Sequence, residues 1–561
     1  MTAPTTNPLL DDPELMDRLE QIWQRDQKAK ARRARERRAR PEVHLWDGDW
    51  NHRGRVTTEL SGAARWVGND TGTARLAMPV DNPLSKWGID VWGRPKQNVH
   101  LTVEKNGARW GGRLSGARLA KDVSGDRYTE FTFAHDYEEL KHIAVWCNPF
   151  LPAIVQFPKS FVLAGPSIYM LKLALFLNVM RLEGNWWALP DDPLDLSQWG
   201  AGLDMSQWNI VVKPHSLLGD DSPWTILSSR FKTWHDMAAA CLADGQLGVE
   251  CRRYLDGDPP PWPGADLRHG TLVVDIVDHS GHWTGPTSRG GNLLTGLIRT
   301  VAELGESLID ETLQTVVGNH DPYASTPPEW IGTLPSAPWA VVRDGEISGV
   351  EAADFLFTPG TDVQMVVGGH SAPGVNETIS AGVQLALNNL GTVVLQPTAG
   401  TIADIFLRPL YEDVFGAWQS QKSLQRAQRY GWSHYHESVV GGADRAYTLA
   451  AIVALRSGFH ATRPRFSHQL TLADGRPFTI GQNGQGHYFL YDRLGSTIVG
   501  LPSRWQVVVE QVSEIGLEWA RETGVDWSAT LGDRSDHRSA TETALAAARS
   551  LSSALQEMGV L

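Results

Sequence analysis

The sequence predicts an α+β, multidomain protein in which antiparallel β-barrel-like domains are separated by helical insertions. Short segments of alternating apolar residues, joined by hairpin turns, occupy residues 43–133 and again residues 465–499. The chain between them shows helical spacing of apolar residues, as at 231–247 and 445–457. With 561 residues, 42% of them hydrophobic and 20% charged, the chain has the length and composition of several folded domains.

We expect seven segments along the chain. In order they are an N-terminal helix and basic arm (1–42), a β-rich barrel-like domain (43–140), a helical and loop-rich insertion (141–265), an α/β segment with a Pro-rich linker (266–335), a second α+β domain (336–460), a second barrel-like region (461–525) and a C-terminal helix (526–561).

The first element is an amphipathic helix with a single apolar stripe. Asp12 fits the N-cap, and Pro13 fits the first helical position, where a missing N–H does no harm. The apolar residues recur at helical intervals, which places them on one face. They are Leu15, Leu19, Ile22 and Trp23.

A strongly basic arm follows at residues 28–40, where eight basic residues and one acidic residue give a charge of +7. At 100° per residue the bases point in all directions, so this part has no apolar face. The arm is solvated, docks on an acidic partner surface, or contacts nucleic acid. Of these roles we predict docking on a neighbouring protein. The candidate partner-binding residues are Leu15, Leu19, Ile22, Trp23, Arg32, Arg33, Arg37 and Arg38.

The next region alternates strands and turns. Its clearest part contains a strand at His100–Lys105, an Asn106-Gly107 hairpin turn, a strand at Ala108–Asp122, a turn at Ser124–Asp126 and a strand at Arg127–Phe133. A short helical segment follows at His135–His142. Turn chemistry and alternation agree here, which favours a small antiparallel barrel or sandwich.

An apolar stretch at Phe161–Val179 has two interpretations. It is too short for a bilayer, Pro166 interrupts it, and Lys172 lies in its middle. We therefore predict a helix that begins near Pro166 and is buried in a core or between subunits.

The remaining elements follow from the same signals. We predict helices at 231–247, 292–315, 402–430, 445–457 and 545–558, strands at 249–255, 272–277, 362–367, 465–472, 478–480 and 488–499, and a Pro-rich linker around Trp330.

Composition limits the function. The net charge is −13, and because the arm contributes +7 and residues 1–27 contribute −4, the body from Pro41 onward carries −16, which argues against general nucleic-acid binding. Three cysteines, Cys147, Cys241 and Cys251, are too few for a disulfide framework and indicate a reducing compartment. The first residues lack the basic start and apolar run of a secretory signal. Tryptophan is in excess, with 23 Trp against 15 Phe, which suits assembly or sugar-binding surfaces.

No catalytic pattern is complete. Gly318-Asn-His-Asp321 and Gly48–Gly54 resemble two metal-binding blocks of dimetal phosphoesterases, but they lie about 270 residues apart, and we interpret them as polar turns. His434 and His436 lack a compact third ligand, and no Gly-x-Ser-x-Gly elbow is present. We therefore predict no enzyme activity, no cofactor and no metal.

Several longer strings carry a family resemblance. They are Val43–Trp50, Asn69–Thr73, His135–His142, Asn148–Pro152, Leu189–Leu194, Val211–Pro214 and Glu250–Pro263. Together they resemble the minor tail proteins of long-tailed phages that infect actinobacteria. Such proteins are similar to the tail hub, whose barrel-like tail-hub domains are related to the baseplate hubs of contractile tails.

The resemblance implies a structural virion component at the phage tail tip, made in the host cytoplasm. Three copies would form a ring, each presenting two barrel-like domains, that joins the sixfold tail tube to a threefold tip. Its expected partners are itself as a homotrimer, distal tail and other tail-tip proteins, the tape measure, and phage DNA that passes through the lumen without specific binding. The acidic body suits such a channel. The alternative is a tail protein that contacts the host cell surface and binds or degrades cell-wall carbohydrate.

Overall fold

The structure, a computed structural model, describes residues 13–121, 125, 127–195, 204–279, 340–344, 349–368, 418–440, 449–472, 478–497, 500, 508–521 and 524–532. Six α-helices lie in these ranges: α1 (Pro13–Arg38), α2 (Pro83–Ile89), α3 (Ser167–Glu183), α4 (Trp234–Gly245), α5 (Leu424–Tyr430) and α6 (Leu449–Ala461). Two 3₁₀ helices in the same ranges span Asp136–His142 and Met205–Gln207.

Strands dominate the rest of the described chain. They are β1 (Glu42–Asp47), β2 (His52–Val56), β3 (Ser61–Val67), β4 (Thr73–Pro79), β5 (Val99–Lys105), β6 (Ala108–Lys121), β7 (Arg127–His135), β8 (Phe161–Pro166), β9 (Ile210–Val212), β10 (Trp224–Ser229), β11 (Leu247–Arg253), β12 (Leu272–Asp278), β13 (Val341–Val342), β14 (Val350–Thr358), β15 (Asp362–Gly368), β16 (Trp418–Lys422), β17 (Tyr435–Val439), β18 (Arg465–Leu472), β19 (Arg493–Ser496), β20 (Val508–Ala520) and β21 (Gly524–Gly532).

Thirteen of these strands form one curled, half-barrel sheet. Eleven follow the order β14-β18-β21-β20-β3-β4-β7-β6-β5-β1-β2, while β19 pairs with β20 and β13 pairs with β19. The predicted hairpin lies inside it, because Asn106 and Gly107 adopt positive φ angles and leave Lys105 paired with Ala108. The α+β class with a barrel-like sheet is thus confirmed.

The two strand-rich regions that we expected as separate barrel-like domains meet in this single sheet. β20 pairs antiparallel with β3, in a register that runs from Glu514 opposite Val67 to Ala520 opposite Ser61. Without this pairing, both strands would leave a row of backbone N–H and C=O groups without partners. β21 also carries the strand-rich region past residue 525, because residues 526–532 pair with β20 or β18 and are not helical.

One hydrophobic core lies under both halves of the sheet. Trp66 of β3 stacks on Trp527 of β21 at a ring-centroid distance of 5.8 Å, and Trp110 and Trp519 are almost fully buried beside them. We expected the tryptophan excess to serve assembly or sugar-binding surfaces. These four tryptophans instead fill the core, where their large rings supply much of the buried apolar area.

A second layer between residues 136 and 279 has its own core, built from α3, α4, the two-stranded antiparallel sheet of β8 and β10, and the small sheet β11-β12-β9. α3 begins directly after Pro166 and is largely buried, which confirms the predicted buried helix. Its Lys172 pairs with Asp275 of β12 at 2.5 Å. In the described part of the chain, no helix is long and apolar enough to cross a membrane.

A third, smaller unit consists of the sheet β16-β15-β17 and α6, which packs on Met365 and Val367 of β15. Arg456 of α6 joins it to the second layer through Asp244 at the end of α4, at 3.0 Å. The prediction of a helix over 402–430 is wrong for residues 418–423, with which the described part of this range begins. There Trp418–Lys422 is a strand paired with β15, and α5 begins only after Ser423, whose side chain accepts a hydrogen bond from the backbone N–H of Arg426.

Several predictions fall outside the described residues. They concern the helices at 292–315 and 545–558, the linker around Trp330 and the Gly318–Asp321 string.

Gly62 of β3 provides a test of the pairing that joins the two halves. A Cβ at this position would lie 2.2 Å from the Trp519 ring, so Gly62→Ala must displace a buried tryptophan and should destabilise the protein by about 1–3 kcal/mol. Gly116→Ala in β6 is the matched control, because a Cβ there meets nothing within 4 Å. Urea unfolding followed by tryptophan fluorescence measures both. Equal effects of the two variants would contradict the packing argument.

Candidate functional site

The C-terminal end of α1 is fastened to the sheet by a buried lysine. Lys105 at the end of β5 donates hydrogen bonds from Nζ to the carbonyl oxygens of Glu36, Arg37 and Ala39, at 3.3, 3.0 and 2.6 Å. The last carbonyls of a helix lack intrahelical partners and carry the negative end of its dipole. An ammonium group there donates hydrogen bonds to these carbonyls and also interacts favourably with the dipole.

The predicted arginines divide between the body and the solvent. The guanidinium of Arg37 is half-buried and donates to the carbonyl of Phe478 at 3.4 Å, so it faces the chain's own body. Arg40 pairs with the buried Glu59 at 3.4 Å. Arg32 and Arg38 are exposed, and Arg32 pairs with Glu36 one turn along the helix. The side chain of Arg33 lies outside the described residues.

The first half of α1 differs from the C-terminal end of the helix, because every residue from 17 to 28 is exposed to solvent. Leu19, Ile22 and Trp23 are 48%, 61% and 61% exposed and lie on one face, as their spacing predicts. Leu15 belongs to the helix, but its side chain lies outside the described residues. The structure therefore holds α1 at its end and leaves its apolar stripe uncovered.

A buried charged cluster joins the large sheet to the second layer. Arg253 of β11 donates to the Asp136 carboxylate at 2.8 Å, and its guanidinium lies 4.8 Å from the centre of the Trp50 ring. Trp50 in turn stacks on His100 of β5 at 4.5 Å. These contacts clamp the second layer against the turn between β1 and β2, so we call this cluster the joint.

A second arginine extends the joint. Arg109 of β6 donates to Glu104 at 2.7 Å, to both carboxylate oxygens of Asp258, and to the carbonyl of Arg253 at 2.9 Å. The planar guanidinium suits this two-pronged recognition of a carboxylate. Asp258 is thereby fixed at the start of the Pro-rich loop.

The joint shifts the pKa of its titratable groups. Burial alone would raise the pKa of Asp136, but the adjacent Arg253 outweighs it and holds that pKa below the ordinary value. Burial, reinforced by the Arg253 charge, lowers the pKa of His100 to about 4. Burial likewise lowers the pKa of His135 to about 4. Both histidines are therefore neutral at physiological pH.

The strings that carried the family resemblance supply most of the contacts at this junction. Asn69 bonds the backbone of β11 twice, through its amide nitrogen to the Leu247 carbonyl at 2.7 Å and through its amide oxygen to the Val249 N–H at 3.0 Å. Lys141 pairs with Asp70 at 2.7 Å. Sequence reasoning missed this role, because no local pattern shows that residues 69–71, 135–142 and 250–258 converge.

The sequences weighed as metal ligands have structural partners where they are described. Asp47 accepts from the backbone N–H groups of Asp49 and Asn51 at 3.0 and 2.9 Å, so the string around Gly48 is a polar turn. His434 and His436 stand 5.3 Å apart, centre to centre, on the surface. Within the described ranges, no cluster of three or more His, Cys, Asp or Glu side chains could hold a metal ion. All three cysteines are free.

Comparison with known proteins places the chain among phage tail proteins. A family described as Siphovirus ReqiPepy6 Gp37-like protein matches residues 42–533. Minor tail protein Gp28 of Mycobacterium phage L5 is 37% identical over 542 aligned residues, which cover 88% of this chain and 91% of that protein. Minor tail protein Gp28 of Mycobacterium phage D29 gives the same identity and coverage.

A solved structure also resembles this fold at low sequence identity. The tail protein from Neisseria meningitidis MC58 is 10% identical with a TM-score of 0.39, and the match covers 88% of this chain and 97% of that chain.

Removing the central cation of the joint should destabilise the protein strongly. Arg253→Met leaves the Asp136 carboxylate buried without its ion pair, and such a loss costs about 3–5 kcal/mol. The matched control is Arg55→Met, because the ion pair between Arg55 and Glu42 is exposed and contributes at most about 1 kcal/mol. Chemical unfolding of both variants measures the difference. A loss no greater than that of the control would show that the joint is dispensable.

Stability should also fall as the pH drops from about 6.5 to 4. In this window the unfolded chain binds protons on His100 and His135 while the folded chain, with pKa values near 4, does not. Each group contributes a slope of up to about 1.4 kcal/mol per pH unit. His100→Gln should reduce the measured slope by roughly that amount in urea titrations at pH 6.5, 5.5 and 4.5. The exposed His142→Gln is the control, and an unchanged slope in the His100 variant would contradict the assignment.

Proposed function

The chain belongs to the Siphovirus ReqiPepy6 Gp37-like family and is a minor tail protein of a long-tailed phage, and we propose that it is the hub of the tail tip. In this role three copies form a closed ring that joins the tail tube to the tip and lets DNA pass. The protein acts by assembly and not by catalysis. Of the seven segments expected from the sequence, residues 1–42 would then be the attachment helix and arm, and the six segments from residue 43 to residue 561 would form the body of the ring.

The observation that carries the proposal is the amount of large apolar side chain that ordered elements leave exposed. The stripe of α1 is one example, and loops of the second layer add Phe150, Ile154 and Phe157. Monomeric proteins rarely expose apolar patches of this extent unless a partner covers them. Closed rings cover such patches on every copy, because each subunit offers the same surfaces to its neighbours.

Charge supports the second part of the proposal, the passage of DNA. The body beyond the arm carries −16. A channel wall made of such bodies repels the phosphate backbone and gives DNA no site at which to bind. The densest run of basic residues, eight within residues 28–40, lies in and just after the second half of α1 and belongs, in this proposal, to the contacts between tail proteins.

The predicted partner-binding set is part of the proposal. Leu15, Leu19, Ile22 and Trp23 supply apolar contact, while Arg32, Arg33 and Arg38 supply charge. Arg37 contributes differently, because it bonds its own body and orients the helix. Burial should dominate the affinity, since exposed ion pairs contribute only about 0–1 kcal/mol each and are screened by salt.

Binding of host cell-wall carbohydrate is a second candidate, and one observation favours it. Trp92 and Trp432 are each 94% exposed, and exposed indole rings can stack on sugars. Retention of the wild type on host cell walls, and its loss in Trp92→Ala or Trp432→Ala, would support this role.

Native mass spectrometry tests the hub proposal directly. The full chain should appear at three times its mass of 61.8 kDa. Deleting residues 1–27 removes the stripe but keeps the carbonyls that hold Lys105, so the body should stay folded while the amount of this protein in purified particles falls. Arg32→Gln with Arg38→Gln should give a milder, salt-dependent weakening. A full-length protein that remains monomeric at high concentration, and forms no ring in particles, would refute the hub.

A further inference from the structure

Two loops of the second layer form an exposed apolar surface that the sequence did not reveal. Residues 148–158 present Phe150, Ile154, Val155 and Phe157, and residues 184–195 present Trp187, Leu189 and Leu194. Ile154 and Leu194 are each 91% exposed. The two loops are neighbours, because the rings of Phe150 and Trp186 lie 5.3 Å apart. We call this set of side chains the loop surface.

The loop surface is held in shape from within. Gln156 donates from Nε2 to the carbonyls of Asn148, Leu151 and Pro152, at 3.2, 2.9 and 3.1 Å, and its Oε1 accepts from the Asn148 N–H at 2.8 Å. The Asn148 amide in turn donates to the Phe157 carbonyl at 2.8 Å. These bonds satisfy the backbone inside the loop and turn its apolar side chains outward. A preorganised surface loses little conformational entropy when a partner binds.

Acidic residues lie among the apolar side chains. Asp191 and Asp192 are exposed between Leu189 and Leu194. The surface therefore combines large apolar groups with negative charge.

The first helix has the complementary character. The exposed stripe of α1 is apolar, and the exposed turns that follow it carry Lys28 and Arg32. Lys105 fixes the far end of the helix to its own sheet, so the stripe is presented in a defined direction. Apolar contact at one end and opposite charge at the other specify both the site and the orientation of the helix.

We propose that α1 of one copy docks on the loop surface of the next copy, with Trp23 as its central anchor. This inference rests on the hub proposal and names the contact that would close the ring. One chain carries both halves of the interface, and these are different patches, so the contact is head-to-tail. Such contacts close into a ring when the rotation between copies is right. Every stripe and every loop surface is then covered.

Photo-crosslinking of the full chain tests the contact. Unlabelled protein with Ile22→p-benzoylphenylalanine is mixed with ¹⁵N-labelled wild type. The mixture is left to exchange subunits and is then irradiated, and the crosslinked peptides are identified by mass spectrometry. We expect the α1 peptide of the unlabelled copy to be joined to residues 148–158 or 184–195 of the labelled copy. Crosslinks within a single copy, to any other segment, or to nothing overturn the proposal.

Matched variants provide a second measurement. Trp23→Ala and Ile154→Asp should each weaken trimer association by tenfold or more, and the double variant should be little weaker than either single one. Leu424→Glu is the control, because Leu424 is exposed at the first position of α5, where a carboxylate is tolerated. Asp191→Asn with Asp192→Asn should slow association most at low salt.

The outcomes separate this inference from the hub proposal. Trimers that form normally in the Trp23 and Ile154 variants, with crosslinks elsewhere, leave the hub standing and refute this contact. A wild-type chain that stays monomeric and yields no crosslink between copies refutes both.

Discussion

The antiparallel pairing of β3 with β20 is the constraint on which the rest of the molecule depends. It joins strands that lie about 440 residues apart in sequence and turns two strand-rich halves into one curled sheet. The shared core of Trp66, Trp110, Trp519 and Trp527 exists only because of this pairing. The second layer and the third, smaller unit lie between β3 and β20 in the sequence. They are therefore insertions into the sheet, which contains the strands before and after them.

The joint fixes the orientation of the inserted second layer relative to the large sheet. A layer inserted in this way would be free to tilt against the sheet, and Arg253, Asp136 and Arg109 remove that freedom with directional, desolvated contacts. Ion pairs of this kind add little net stability compared with apolar packing, but they tolerate only one arrangement. In the ring that we propose, a small error in the tilt of one layer would be repeated in every copy.

Local signals in the sequence were enough to predict the hairpins, the buried helix after Pro166 and the amphipathic start, because turn chemistry and periodicity act within a few residues. The β3–β20 pairing could not be predicted, since neither strand shows which distant edge it meets. The candidate site divides in the same way. The stripe of α1 follows from spacing, whereas its anchor Lys105 is an unremarkable strand lysine, and the apolar loop residues around Ile154 look like core residues until the fold shows them outside.

The order of synthesis gives the β3–β20 pairing a further consequence. At about 5–20 residues per second, a ribosome needs roughly 20 to 90 s to travel from β3 to β20. Throughout that time the edge of β3 and the apolar face around Trp66 have no partner strand, and unpaired edges of this kind promote aggregation. The nascent N-terminal half therefore exposes an edge that favours aggregation until β20 emerges, so slower synthesis of the intervening residues lengthens the period of greatest risk for this virion component.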